Sequence, residues 1–359
     1  MKVGDIHLAG IGTYLPQRTP VAEAVARGWF EATAAEESGL ASVTIEPALS
    51  APEMAVRAAR QAVEHSGHGP GDFAAVLHSG VYYQGPEGWS APHFVLHRTL
   101  DRPIPAFEVG HGCLSVLTAL RLAADMLRPG STKGEAVLIT AADNFSTPLV
   151  DRWNDSEHAV YADTGAALVA STRCGFARLK AVGSRSLPDL ESMHRGDEPL
   201  LPPARHPERP MLVGPRLRAW AERPGAGPHD MINAVTRYGE LVAEVADRTL
   251  DEAGVDWDDI ARVAHIGFNE DALHSLLLDP LGVPTKLGTW EYTRTIGHAS
   301  VGDLVLGLAH LWTTGQVGKG DHVLLLGATE GMEAGCAVVE ITEPAGSTPG
   351  GGTEGTARR

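Results

Sequence analysis

Cys113 follows Gly110-His111-Gly112 and opens the apolar run LSVLTALRLAADML, which places its thiol at the start of a helix that must be buried. There it feels free N–H groups and the positive end of the helix dipole, both of which favour the thiolate that attacks a thioester. Backbone N–H groups of the same turn can also hold a developing oxyanion, a contribution of about 3–4 kcal/mol per donor. A lone cysteine before an apolar helix is ordinarily a small core residue. The flanking glycines, which let the backbone bend sharply toward a ligand, argue for chemistry here. His298 stands after Gly297 in a matching position and can act as base or acid for the thiol and for an incoming nucleophile. Asp303, five residues further on, can orient that imidazole as the third member of a triad, or close a capping box with Ser300. One carboxylate can do both.

These residues belong to units that recur. Residues 52–80 and 239–267 each read as amphipathic helix, short turn and apolar strand, the strands ending at His78 and His265. Residues 112–141 and 297–328 each read as Gly, a reactive residue, an apolar-striped helix, a Gly-bearing turn, Lys-Gly and a continuously apolar strand. Strands of that composition are covered on both faces. The displacement of about 185–187 residues predicts two duplicated α/β halves, 1–172 and 173–345. A solenoid would repeat every 20–50 residues or so. The stretch from about 184 to 232, rich in Pro, Arg and His, reads as a loop insertion in the second half, and 346–359 as a disordered low-complexity tail.

Composition narrows the function. With 359 residues, 43% of them hydrophobic, the chain can bury the core of two fused halves. A net charge of −16 excludes a nucleic-acid role, which needs a surplus of Lys and Arg. No run approaches the roughly 20 apolar residues of a membrane helix, and the first residues lack the apolar core of a signal peptide. Cys113, Cys174 and Cys336 are too far apart for a disulfide framework or a zinc site, and no HExxH pair is present. The expectation is a cytoplasmic, reduced protein without metal.

GCLSVLTALRLAADML, AVLITAAD, YADTGAALVAS at 161–171 and the closing Gly-His, Gly-Asp, Gly-Ala order resemble ketosynthase III, a thiolase-like family, over about residues 1–345. The resemblance implies an α/β fold, a five-layer αβαβα sandwich of two duplicated halves, and a homodimer. It also implies no permanently bound cofactor, with acyl-CoA or an acyl carrier protein's phosphopantetheine as donor. The family pattern is a Cys in a small-residue turn, a later His-Gln-Ala-Asn, and an Asn after Gly. Here the matches are Cys113, His265 in HIGFN, and His298, so the second motif is altered and the Asn is replaced by His. With Asp303, and with His194 in SMHRGD, the chain is similar to a divergent branch of actinomycete polyketide pathways that includes the cervimycin malonyltransferase and the daunorubicin priming ketosynthase. That likeness implies a Cys113–His298–Asp303 triad, His194 as a further polar group in the pocket, and the Glu330 backbone N–H as an oxyanion donor. In GATEGMEAG, Thr329 and Glu330 replace the family's glycines.

The loop 79–100 concentrates Tyr82, Trp89, His93 and Phe94, which suits a substrate-pocket wall or a dimer interface. Arg205, Arg209, Arg216 and Arg218 either meet a phosphopantetheine or the acidic surface of a carrier, or form a solvated loop. The expected function is that of an acyltransferase of secondary metabolism, moving an acyl group through a Cys113 thioester to a hydroxyl, amine or carrier thiol. The alternatives are a decarboxylating priming synthase of a polyketide pathway that uses Cys113, His265 and His298, and an inactive scaffold that pairs with another synthase.

Overall fold

The computed structural model describes residues 1–145, 150–200, 213–227 and 229–345. The tail 346–359, Arg205 and Arg209 lie outside the described residues. Four apolar strands of the first half, β1 (His7–Tyr14), β4 (Phe73–Ser79), β6 (Ala136–Asp143) and β7 (Thr164–Ser171), stand side by side in the order β1-β7-β6-β4. A short edge strand, β5 (Ala106–Glu108), follows β4. In the second half, β8 (Ala177–Ser186), β9 (Ile260–His265), β10 (His322–Thr329) and β11 (Glu333–Ile341) stand in the order β8-β11-β10-β9. The two orders are the same when read by sequence, and so are the directions. β4 and β9 run parallel to β6 and β10, and the other pairs within each set of four are antiparallel, while the edge strand β5 is parallel to β4. β1 meets β8 through only two residue pairs, His7–Arg178 and Leu8–Ala177, which join the halves into one nine-stranded ladder.

The layers follow from which faces are apolar. β6 and β7 are buried at every position, so both their faces must be covered. Ahead of the first helix layer, the chain forms helices α1 (Val21–Ala26) and α2 (Ala32–Ser38) and a ribbon of β2 (Arg18–Pro20) with β3 (Ser42–Thr44). Helix α3 (Ala51–His65), started by a Ser50–Glu53 capping box, covers the outside of β1, β6 and β7, with α4 (Ala91–Thr99) beside it. Helix α5 (Ser115–Met126) lies between the halves and touches strands of both. On the far side of the second half, α6 (Val213–Ala221) is followed by α7 (Asp230–Ala253), which packs on β8 and β11. After the short helices α8 (Glu270–Leu273) and α9 (Trp290–Thr293), helix α10 (Asp303–Thr313) joins α5 in the middle layer and touches β1, β7, β9 and β10. The result is the five-layer αβαβα arrangement that the resemblance implied.

One detail departs from the reading of the sequence. The stretch 184–232 is not all loop: β8 runs to Ser186, a 3-10 helix covers Pro188–Met193, α6 buries Trp220, and α7 begins at Asp230. Apolar residues at helical spacing there, Leu217 and Trp220 among them, are masked in the sequence by the surrounding Pro and Arg. No described helix is long and apolar enough to cross a membrane.

Candidate active site

Cys113 and His298 reach each other from opposite halves across the middle layer. Cys113 sits in a 3-10 turn, Gly112–Leu114, that feeds α5, and Gly112 takes φ +50°, a left-handed conformation natural to glycine. His298 is held from the other side by a rung of backbone bonds: its N–H donates to Val160 O at 2.8 Å, and its carbonyl accepts from Ala162 N at 2.9 Å. The N-terminal excursion pins the approach to it, Ala41 N donating to Arg294 O (2.7 Å) and Thr44 N to Ile296 O (2.9 Å). Cys113 Sγ then lies 3.3 Å from His298 Nε2.

Asp303, the first residue of α10, completes the chain of contacts. Its Oδ2 accepts from His298 Nδ1 at 2.6 Å and from Gly267 N at 2.8 Å, while its Oδ1 accepts from Ala299 N at 2.9 Å. A carboxylate is an acceptor only, so the Nδ1 proton is fixed and Nε2 is left facing the sulfur. Orienting the ring and satisfying backbone N–H groups ahead of a helix are here one arrangement, with Ala299 rather than Ser300 as the capped N–H.

All three side chains are buried. Burial pushes the Cys113 thiol up, and the charges of Glu330 and Asp303 push it further, against the pull of His298. Burial also works against a charged imidazole, but the neighbouring Cys113 and Asp303 outweigh it and hold His298 well above the usual histidine range. Thiol and imidazole are thus both pushed up, and their 3.3 Å contact lets one proton pass between them.

A cavity of about 450 Å³ opens on Cys113 and His298. Its wall is mostly apolar, with Tyr161, Tyr238, Phe268, Met193 and Leu217 prominent, and its polar members include His158, His194, Thr329 and Glu330. Tyr161 and Phe268 flank the imidazole, with ring centroids 5.9 and 5.8 Å from that of His298. Burial holds the His194 imidazole below its ordinary range. Thr329 Oγ1 accepts from Cys113 N at 3.1 Å and donates to Glu330 Oε2 at 2.7 Å. The N–H of Cys113 is thus met by a side-chain hydroxyl.

Other expected residues fall elsewhere. His265 does not line the cavity: it is sealed at the end of β9, its Nδ1 against Ile266 O at 2.8 Å, and Gly288 leaves just enough room for its ring. The strand's alternation turns it away, and Phe268, three residues later, faces the cavity instead. Tyr82, Trp89, His93 and Phe94 do not line the cavity either. Tyr82 reaches Tyr161 only through Phe145, by stacked rings at 5.5 and 4.7 Å, while Trp89 packs on Phe94 at 5.6 Å and is exposed. His93 Nδ1 meets Ser90 Oγ at 2.7 Å on the surface. Arg216 and Arg218 are engaged with Glu198 and Glu157. Tyr161 and Phe268 were not singled out in the sequence. Counting from the end of β9 to the helix start at Asn269 would have found Phe268, but nothing local marks Tyr161.

A mixed α/β sandwich of two like halves that bring a cysteine and a histidine together at its middle layer defines the thiolase-like class. Residues 107–182 match the family described as 3-oxoacyl-[acyl-carrier-protein (ACP)] synthase III, and residues 250–341 its C-terminal counterpart. The mycobacterial β-ketoacyl-[acyl-carrier-protein] synthase III of Mycobacterium avium (strain 104) is 27% identical, over 94% of this chain and 96% of that protein. Among solved structures, the acyltransferase ChlB3 is 37% identical with a TM-score of 0.88, covering 95% of this chain and 99% of its own. The priming β-ketosynthase of the R1128 polyketide biosynthetic pathway shares the fold, with a TM-score of 0.76 at 19% identity over 96% of this chain and 98% of that one. The chain belongs to the ketosynthase III family.

Proposed function

We propose that the protein is an acyltransferase of secondary metabolism, in which the N-terminal half supplies Cys113 as nucleophile and the C-terminal half supplies His298 and Asp303. The observation that carries this reading is the unbroken contact chain from Cys113 Sγ through His298 to Asp303 at the floor of a cavity. In the first step Cys113 gives its proton to His298 Nε2 and its sulfur attacks the donor thioester carbonyl. The donor C–S bond breaks, and the departing thiolate takes the proton back from His298. In the second step His298 accepts a proton from the acceptor hydroxyl, amine or thiol as it attacks the Cys113 thioester, and returns it to the released sulfur. The donor is an acyl-CoA or acyl carrier protein, met in the cytoplasm, and no other cofactor enters.

The decarboxylating alternative needs two side-chain donors on the thioester carbonyl of a malonyl unit. The rings of Tyr161 and Phe268 flank His298, His265 is sealed away, and of the cavity's imidazoles His298 is the one in described contact with Cys113 Sγ, while His158 and His194 are not, which favours plain transfer. The reading also carries the homodimer. Edge strand β5 exposes Phe107, and Tyr83 and Trp89 are exposed on the loop that follows β4. Unpaired edges with apolar residues recruit a second copy.

The test is intact mass after incubation with acyl thioesters, together with sedimentation of the same sample. The expected result is a single acyl adduct that passes to an added acceptor, is absent from Cys113→Ala, and forms on a dimer. An adduct that persists in Cys113→Ala, or none on the wild type, removes the proposal. Carbon dioxide release from a malonyl thioester would move the assignment to the priming synthase.

A further inference from the structure

The glycine-rich turn of the family is, in this chain, a turn that carries an acid, and that acid stands at the nucleophile. Thr329 ends β10 with its hydroxyl on the N–H of Cys113, and Glu330 Oε2 accepts from that hydroxyl. Glu330 is part of the cavity wall, and a Cβ at Gly112 would overlap both Thr329 Oγ1 and Glu330 Oε2. The carboxylate is therefore set against the residue that precedes Cys113, on the wall of the cavity that an acyl group on Sγ would enter.

Little else in the cavity compensates this charge. Arg218 is in the wall, but its guanidinium is paired with Glu157 at 2.5 Å. His194 and His158 face the same space; burial holds both imidazoles below their ordinary range, and the Glu330 charge pulls His194 only part of the way back. Beneath them, Asp303 and His298 balance each other at 2.6 Å. A negative acyl group entering the cavity passes the carboxylate of Glu330, which stands at the exposed rim, and must leave water for a largely apolar wall, so repulsion from Glu330 adds to the cost of desolvating its own charge. An uncharged acyl group meets none of this, and the apolar wall receives it favourably.

We infer that Glu330 is a specificity-determining residue: its carboxylate, hydrogen-bonded through Thr329 to the amide of Cys113, rejects acyl groups that carry a carboxylate and reserves Cys113 for uncharged ones. This rests on the acyl-transfer reading and narrows it to monocarboxylic acyl donors. Glu330 acts on which thioester is accepted, while the proton traffic stays with His298.

Pantetheine thioesters test it, because both donor types share that arm. Propionyl is offered against malonyl, and pentanoyl against glutaryl, in equimolar pairs to the full chain, and the mass of the Cys113 adduct gives the ratio directly. The wild type is expected to favour the uncharged member of each pair by about 10-fold or more. Glu330→Gln keeps the acceptor for Thr329 and removes the charge, and should bring both ratios within about 3-fold of unity. Glu330→Lys should invert them. Because each ratio is read within one sample, a partly unfolded variant does not distort it. Ratios left unchanged by Glu330→Gln, or a wild type that prefers malonyl and glutaryl, overturn the inference while leaving acyl transfer standing. A wild type that takes no acyl group from any member overturns the acyl-transfer reading itself.

Discussion

A single carboxylate at position 303 meets three N–H groups, those of His298, Gly267 and Ala299, and the imidazole it holds is the only one within hydrogen-bond distance of Cys113 Sγ among the described contacts. Asp303→Asn exposes what that arrangement does. An amide has one acceptor oxygen in place of two, and its NH₂ turned to Nδ1 would shift the ring proton to Nε2, facing the sulfur in the wrong tautomer. Acylation of Cys113 should slow by about 100-fold or more, with circular dichroism unchanged. The carboxylate is also among the charges that raise His298, so removing it lowers the pH at which the shared proton is lost. The basic limb of the rate–pH profile should move down accordingly. An unaltered rate and profile would reduce Asp303 to a helix cap.

At the scale of elements, the site depends on β1, the strand that bridges the halves, and β1 depends on its glycines. The face of α3 presented to it is built from Ala55, Ala58, Ala59 and Ala62, all buried, and the helix comes so close that a Cβ at Gly12 would overlap the Ala58 carbonyl oxygen and one at Gly10 that of Ala62. Valine has a better strand propensity than glycine, so local preference alone predicts that Gly12→Val stabilises. Packing predicts the reverse, a loss of about 3 kcal/mol from overpacking, read as a lower urea midpoint. A midpoint that holds or rises would contradict the close approach of α3. Much of this architecture was legible in the chain, since AVLITAAD and HVLLLGAT are apolar at nearly every position and became β6 and β10, each after a middle-layer helix. What the alignment of glycines misjudged was residue-level equivalence. By backbone, Gly112 at φ +50° matches Ser300 at φ +52°, each opening a 3-10 turn before its helix, so the counterpart of Cys113 is Val301. His298 comes three residues earlier than that, on an extended rung beside Val160. Residue type alone marks Gly297 as the matching glycine, whereas conformation is set by contacts with the other half. The same long-range control turned His265 away from the cavity and put Phe268 in it.

Over the whole molecule, buried titratable groups set opposing pH dependences that partly offset each other. His78 is fully buried and reads as neutral: Nε2–H donates to Gln84 Oε1 at 3.1 Å and Nδ1 accepts from Thr140 Oγ1 at 2.9 Å. Burial pushes both His78 and His265 down to about 4. Their folded values lie below the unfolded one, so the stability they contribute is complete above about pH 6.5 and is lost as pH falls toward 4. Asp143 works the other way. Burial raises its carboxyl to about 7, against the N–H groups of Val81 and Tyr82 that it accepts from, so its contribution is present at low pH and is lost as pH rises from about 4 to 7. Each group alone tilts stability by about 1.4 kcal/mol per pH unit through the window, and in the intact protein the tilts subtract. Variants separate them. His265→Gln should gain on the wild type as pH falls from 6.5 to 4, whereas Asp143→Asn, which keeps the acceptor for both N–H groups, should gain on it as pH rises from 4 to 7. Urea unfolding across that range reads both differences, and two variants that tracked the wild type in parallel would mean that neither group is held away from its ordinary ionisation by the fold.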